Sequence, residues 1–213
     1  AIGYNAGLSV STGVQNTLVG ALAGDALTAG DENVAIGHGA LGTEDAHGRN
    51  VAIGYAALSS QDAGADAYNV AVGFDAGGAV STGNSNTIIG GLAGDALTTG
   101  SNNVAIGYQA LSTEDAHGRN VAIGRYALQA QDAGIDAYNV AVGYNTGVNV
   151  STGAYNTLIG GLAGDALTTG SYNVALGYAA LSTEDGNSAN VAIGKSALQN
   201  LNAGADAYNV AVG

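Results

Sequence analysis

A short apolar segment recurs along the chain, and a longer glycine-rich polar stretch separates each copy from the next. Asn followed by an apolar run that ends in Gly occurs at Asn16, Asn33, Asn50, Asn69, Asn86, Asn103, Asn120, Asn139, Asn156, Asn173, Asn190 and Asn209. The spacings run 17, 17, 19 and 17 and then repeat, so a 70-residue period contains four short ones. Such a double period predicts a solenoid, in which each coil contacts only its neighbours.

Each apolar run is predicted to be a β-strand. In residues 33–49 the run is Val34, Ala35 and Ile36, and glycine follows; β-branched residues favour strands, and glycine ends them. Because alternate side chains lie on opposite faces of a strand, Val34 and Ile36 are predicted to line the core, with Ala35 on the other face. A coil of this length accommodates two strands of ~5 residues joined by turns.

The Ala face is predicted to meet other chains. One Val and one Ile per coil form a thin core, whose burial at ~25 cal/mol/Å² competes poorly with ~1–2 kcal/mol of backbone entropy per residue. We therefore expect an obligate homo-oligomer that associates along its full length. Every fourth coil replaces Val-Ala by Thr followed by a bulky residue, which is expected to fix the register between chains. The predicted core and assembly residues are Val34, Ile36, Val51, Ile53, Val104, Ile106, Val121, Ile123, Val191, Ile193, Leu18, Ile88 and Leu158.

The repeats form a single region, 1–213. It divides into units 16–85, 86–155 and 156–213, and residues 1–15 match the end of a preceding unit. Stacked repeats use polar caps to close their open ends, and the sequence has no recognisable cap. We therefore expect the chain to be a segment of a longer fibre.

The motif N-V-A-I-G-x-x-A resembles the head repeat of YadA-like trimeric autotransporter adhesins. It occurs at 33–40, 50–57, 103–110, 120–127 and 190–197, and with Leu for Ile at 173–180. The variant NTLIGGLAGDALTTG, residues 156–170, is similar to repeats of bacteriophage tail fibres. The adhesin coils are shorter, so the additional residues are expected to enlarge an outward loop.

This resemblance implies a left-handed parallel β-roll and a homotrimer, intertwined or side by side, with one strand of each coil along the threefold axis. It also implies an extracellular location, on a bacterial surface or a virion, and a structural role in attachment. The implied partners are further copies of the chain and a host-surface glycan or protein. Bacterial and phage origins both remain open.

Charge argues against two classes of partner. The chain has 17 acidic and 4 basic residues, a net charge of −13. Nucleic-acid grooves need clustered Lys and Arg, and anionic membrane surfaces attract the same residues. No apolar run approaches the ~20 residues of a membrane span, so neither nucleic-acid binding nor membrane contact is predicted for this segment.

Adjacent carboxylates recur in the triplet Thr-Glu-Asp. They can ligate Ca²⁺ together with loop carbonyls, or they can form a solvated acidic stripe, which is the preferred interpretation. No metal or other cofactor is therefore predicted. The candidate ligands are Glu44, Asp45, Glu114, Asp115, Glu184 and Asp185.

No catalytic residue is predicted, and the chain is not expected to be an enzyme. His47 and His117 have no counterpart in the third unit, where Asn187 follows Gly186, and no Ser has a repeated His and Asp partner. An acyltransferase-type left-handed β-helix would need 18-residue, three-sided coils and a catalytic His. An ice-binding solenoid is a further alternative, but strand Thr recurs only once per 70 residues.

Two placements of aromatic and amide residues follow the coil frame. Tyr precedes the Asn at Tyr68, Tyr138 and Tyr208, and it follows the strand-ending Gly at Tyr4, Tyr55, Tyr108, Tyr144 and Tyr178. Exposed Tyr rows can stack on sugars, but shielding of the coil edges is the preferred interpretation. The recurrent Asn is predicted to form a hydrogen-bonded amide ladder between coils.

Overall fold

One short strand lies at the same point of every repeat. The computed structural model describes residues 1–183, 186–201, 206 and 208–213. These residues form no helix, and therefore no helix that is long and apolar enough to span a bilayer. Every strand has three residues: β1 (Thr17–Val19), β2 (Val34–Ile36), β3 (Val51–Ile53), β4 (Val70–Val72), β5 (Thr87–Ile89), β6 (Val104–Ile106), β7 (Val121–Ile123), β8 (Val140–Val142), β9 (Thr157–Ile159), β10 (Val174–Leu176), β11 (Val191–Ile193) and β12 (Val210–Val212).

The strands form one parallel sheet in sequence order, β1 to β12. Equivalent residues of successive coils lie side by side, as in the pairing of Val34 with Val51 and of Ile36 with Ile53. At a strand spacing of ~4.8 Å, the sheet from β1 to β12 is ~53 Å long. The predicted all-β parallel solenoid is therefore confirmed.

In the residues that the structure describes, turns rather than a second strand form the wall opposite the sheet. Leu41 N donates to Ala57 O at 3.0 Å, and Leu58 N donates to Ala76 O at 3.1 Å, so this wall is also hydrogen-bonded from coil to coil. Ala56 and Leu58 have φ angles of 55° and 48°, and such left-handed residues cannot belong to a strand. The prediction of two ~5-residue strands per coil was wrong for this reason.

The assignment of the two strand faces was also wrong. Ala35, in the middle of its strand, is fully buried, while Val34 and Ile36 lie on the outer face and are partly exposed. The roll is so narrow that Leu side chains from the opposite wall, such as Leu41 and Leu58, occupy most of its interior and leave room only for Ala. The outer-face residues that were predicted to be core are Val34, Ile36, Val51, Ile53, Val104, Ile106, Val121, Ile123, Val191 and Ile193.

The bulky residue of every fourth strand also points inward. Leu18, Ile88 and Leu158 are at most 3% exposed, so they do not form the chain-to-chain layer that was predicted for them. They fill space that glycine leaves on the opposite wall: a Cβ on Gly77 would lie 2.8 Å from Ile88 Cδ1, and one on Gly94 would lie 3.5 Å from it. A bulky strand residue thus compensates for the missing Leu in its own coil and in the coil before it.

The recurrent Asn residues connect the coils through the main chain. Asn86 Oδ1 accepts a hydrogen bond from Asn103 N at 2.9 Å, and Asn86 Nδ2 donates to Gly100 O at 2.9 Å. The predicted role in joining coils is confirmed, but the amides bond to backbone groups over most of the ladder. Direct amide-to-amide bonds occur at its end, where Asn209 Nδ2 donates to Asn190 Oδ1 at 3.3 Å.

Candidate functional surface and acidic clusters

The outer face of the sheet is a continuous apolar surface. We define the strand-face strip as the first and third residues of β1 to β12; it contains Val, Ile, one Leu and three Thr, and no charged residue. Its side chains are partly exposed, by 42% at Ile159 and by up to 75% at Val212 in the last strand. The two rows lie ~6.6 Å apart along the strands, and each row continues for ~53 Å. The strip is therefore long, regular and uncharged.

Aromatic side chains border the strip on one side. We define the post-strand row as the residues that directly follow each strand-ending Gly. Within it His38 stacks on Tyr55, and Tyr55 stacks on Phe74, both with ring centroids 5.3 Å apart. Tyr55 and Phe74 are more than half exposed, so these ring edges and faces are open to solvent.

A second aromatic row borders the opposite side of the strip. We define the pre-strand row as the residues that directly precede each Asn, and all of them have left-handed φ angles. Tyr138 stacks on Tyr155 at 5.5 Å, and Tyr155 stacks on Tyr172 at 5.0 Å. The sequence prediction named Tyr138 but missed Tyr155, Tyr172, His38 and Phe74, although their position relative to Gly or Asn could have identified them.

Basic residues in the pre-strand row connect neighbouring coils. Arg49 pairs with Glu32 at 3.0 Å and with Asp66, and its guanidinium lies 5.6 Å from the ring centre of Tyr68. In unit 86–155 the equivalent pair joins Arg119 to Asp136. These pairs are exposed to solvent, which screens the charges and keeps their contribution to stability small.

The Glu-Asp pairs are split between the interior and the surface. Glu44 is fully buried and Asp45 is exposed. Glu44 Oε1 accepts a hydrogen bond from His47 N at 3.1 Å, and it lies 3.8 Å from His47 Nδ1. Glu114 and His117 repeat this arrangement at 3.2 and 3.7 Å. Glu184 and Asp185 lie outside the described residues.

Glu44 occupies a position that other coils fill with core residues. It is the eleventh residue after the coil's Asn, and the same position holds Leu27, Val80 and Leu97, which are all fully buried. Burial raises the pKa of the Glu44 carboxyl to about 7, although the hydrogen bond from His47 N opposes the shift. Burial raises the pKa of Glu114 in the same way.

A second set of acidic side chains lies in the G-D-A-L-T loops. Asp95 and Asp165 are partly buried, and within the described residues Oδ1 of each has no hydrogen-bond partner. Desolvation by burial raises the pKa of both carboxyls. They belong to the interior packing of these loops and recur with the 70-residue period.

The described part of the chain forms no concave pocket. Its candidate functional features are therefore the strand-face strip, the two aromatic rows and the two acidic clusters around the buried Glu44 and Glu114. Comparison with family models, with curated protein sequences and with solved structures finds no match for this chain.

Proposed function

We propose that this chain is a segment of an extracellular fibre, structural and adhesive rather than catalytic, which assembles lengthwise as a homotrimer. The observation that carries the proposal is the strand-face strip, an uncharged row of partly exposed β-branched side chains along all twelve strands. Monomeric proteins rarely expose apolar patches of more than a few hundred Å², and larger patches mark interaction sites.

The chemistry of the strip favours a further copy of the chain as the partner. At ~53 Å by ~10 Å it presents ~500 Å², and covering it at ~25 cal/mol/Å² contributes ~12 kcal/mol per chain before the entropy of association is subtracted. Only a partner with the same ~4.8 Å repeat places a side chain opposite every rung. No charged residue lies on the strip, so the net charge of −13 lies outside the interface of such an assembly.

The number of copies and the attachment role rest on the resemblance of the N-V-A-I-G repeats to adhesin heads. Three left-handed rolls would place their strips around a common threefold axis. The aromatic rows would then lie beside the interfaces, where stacked pairs such as Tyr155 and Tyr172 can contact the apolar faces of a host-surface glycan. A bacterial adhesin and a phage tail fibre use this arrangement in the same way, as a spacer that presents loops.

Light scattering coupled to size exclusion tests the assembly. We expect about 62 kDa, three times the 20.6 kDa of one chain. Replacing Ile106 and Ile123 of the strip by Lys should dissociate the trimer, whereas Ile135→Lys, at an exposed Ile outside the strip, should leave it intact. A folded wild-type monomer would refute the proposal, and thermal hysteresis in that monomer would favour the ice-binding alternative.

Glycan-array binding tests adhesion separately. Tyr155→Ala removes the middle ring of a three-ring stack, while Tyr178→Ala removes an exposed Tyr of the other row. We expect the first change to reduce binding at least tenfold and the second to have a smaller effect. Equal binding by wild type and both variants would remove the aromatic rows from the attachment role.

A further inference from the structure

Glu44 and Glu114 are carboxylates at core positions with one oxygen left unpaired. Both side chains are fully buried, and Oε1 of each accepts the N–H of the His three residues later. Within the described residues, Oε2 of each has no hydrogen-bond partner. Equivalent positions hold Leu or Val, and Gln61, a neutral residue at the same position, is hydrogen-bonded to Asn69 at 2.7 Å. A buried carboxylate oxygen without a donor is costly unless the group takes up a proton or a positive charge lies beside it.

Two further donors converge on each buried carboxylate. One donor atom each from Glu44, Asp45 and His47 lie within 4.8 Å of one another, and Glu114, Asp115 and His117 form an equal group. Nδ1 of His47 and of His117 is buried and also has no hydrogen-bond partner in the described part of the chain. Each loop thus groups an imidazole nitrogen with two carboxylates.

We propose that Glu44, Asp45 and His47 bind a divalent transition-metal ion such as Zn²⁺, and that Glu114, Asp115 and His117 bind a second. Zn²⁺ takes His nitrogen at ~2.0–2.1 Å and carboxylate oxygen at ~2.0–2.2 Å, with water in a remaining position. Donors around a four-coordinate ion are therefore ~3.4 Å apart. The Glu–His separations of 3.8 and 3.7 Å need to contract by only a few tenths of an ångström.

The imidazole separates this proposal from calcium binding. Ca²⁺ takes six to eight oxygen ligands, whereas imidazole suits Zn²⁺ and other transition metals. The exposed Asp45 supplies the solvent side of the site and the buried Glu44 supplies its interior side. The ion would therefore connect the outward loop to the core, and it would do so twice, ~19 Å apart along the rod.

The third unit provides an internal control. It keeps Glu184 and Asp185 in sequence but has Asn187 where the other units have His. The proposal therefore predicts two ions per chain rather than three, and this number does not depend on the oligomeric state.

Isothermal titration with ZnCl₂, together with metal analysis after gel filtration, tests the proposal on the 213-residue chain. We expect two ions for the wild type, one for His47→Gln or His117→Gln, and none for the double variant. His38→Gln, at an exposed His of the post-strand row, should still bind two. Circular dichroism checks that the variants are folded, and imidazole NMR shifts of the wild type on addition of Zn²⁺ give a measurement that needs no variant.

Three results would overturn the proposal. The first is no binding at micromolar Zn²⁺ with unshifted imidazole resonances of His47 and His117. The second is a stoichiometry that the double variant leaves unchanged, which would indicate general attraction to the acidic surface. The third is displacement of Zn²⁺ by an equal concentration of Ca²⁺, which would assign the site to a different class of ion.

Discussion

Replacing Asn86 by Ala tests whether the recurrent Asn holds the coils together. The substitution removes the acceptor of Asn103 N, at 2.9 Å, and the donor to Gly100 O, also at 2.9 Å. Asn86 is 1% exposed, so water cannot replace either partner without opening the coil. An unsatisfied buried polar group costs ~1–3 kcal/mol, so leaving two of them lowers the free energy of unfolding by ~2–6 kcal/mol. At ~2–4 °C per kcal/mol for a chain of this size, the midpoint of ~4 kcal/mol lowers the Tm by ~8–16 °C.

Asn84 provides a matched control two residues away. Its side chain is exposed, so Asn84→Ala should change the Tm by no more than ~2 °C. Asn86→Asp separates the two bonds, because it keeps an acceptor for Asn103 N but replaces the donor to Gly100 O with a buried carboxylate. It should therefore destabilise the fold more at pH 7 than at pH 4.

Thermal unfolding followed by circular dichroism measures all three variants, and amide hydrogen exchange at Asn103 reports the lost bond locally. A Tm for Asn86→Ala within ~2 °C of that for Asn84→Ala would refute the reasoning, since the two positions would then be equivalent despite their different burial. Unchanged protection at Asn103 N would lead to the same conclusion.

Three further changes test the packing and its charge. Gly107→Ala should destabilise the fold by more than ~3 kcal/mol in denaturant titrations, because the φ of Gly107 is +132° and the new Cβ would lie 2.5 Å from Gly124 O in the next coil. Gly39→Ala is the control: its φ is +63° and the space around it is free, so it should cost only ~1–2 kcal/mol. Ile88→Ala should cost ~2–5 kcal/mol through the cavity it leaves, whereas Ile135→Ala at an exposed site should stay within ~0.5 kcal/mol; equal effects would contradict the assigned interior packing. Burial raises the pKa of Asp95 in the folded state, so the native protein binds more protons than the unfolded chain, and its stability falls as the pH rises from about 4 through the folded pKa. Asp95→Asn should flatten this part of the pH profile of stability, measured by denaturant unfolding. An unchanged profile would exclude Asp95 as its source.

The spacing of the Asn residues was sufficient to predict the architecture. A repeat of 17, 17, 19 and 17 residues places the same apolar run at the same point of every coil, so a parallel stack of strands follows from it, although turns with left-handed residues replace the expected second strand of each coil. Which face of each strand points into the roll could not be predicted in the same way. Val34 and Ile36 share one face and Ala35 the other, and both faces are apolar, so periodicity alone cannot say which is inside. Only the Leu residues of the opposite wall decide it, because their volume leaves room for Ala.

The acidic clusters were predicted in part. The triplets identified Glu44 and Asp45 as neighbours but treated them as equivalent surface groups. Comparison of the eleventh position after each Asn, where Leu27 and Val80 are core residues, could have placed Glu44 in the interior. His47 was set aside because the third unit lacks it, although its proximity to Glu44 follows from the loop between them. The left-handed residues had no recognisable signal, since Leu58 and Tyr68 carry no preference for that conformation.

The match between Ile88 and the glycines across the roll also determines how the rod can change length in evolution. A deletion of residues 86–155 brings Leu158 to the place that Ile88 held, against Gly77 of the preceding coil, and every interior contact is restored. Loss of coil 86–102 alone would instead remove Ile88 and leave Gly77 without the side chain that packs against it, whereas loss of coil 103–119, with Leu111 on the opposite wall, would leave this match intact. Recombination in steps of four coils therefore preserves this match wherever it occurs along the rod, and we expect length differences of ~19 Å among natural variants.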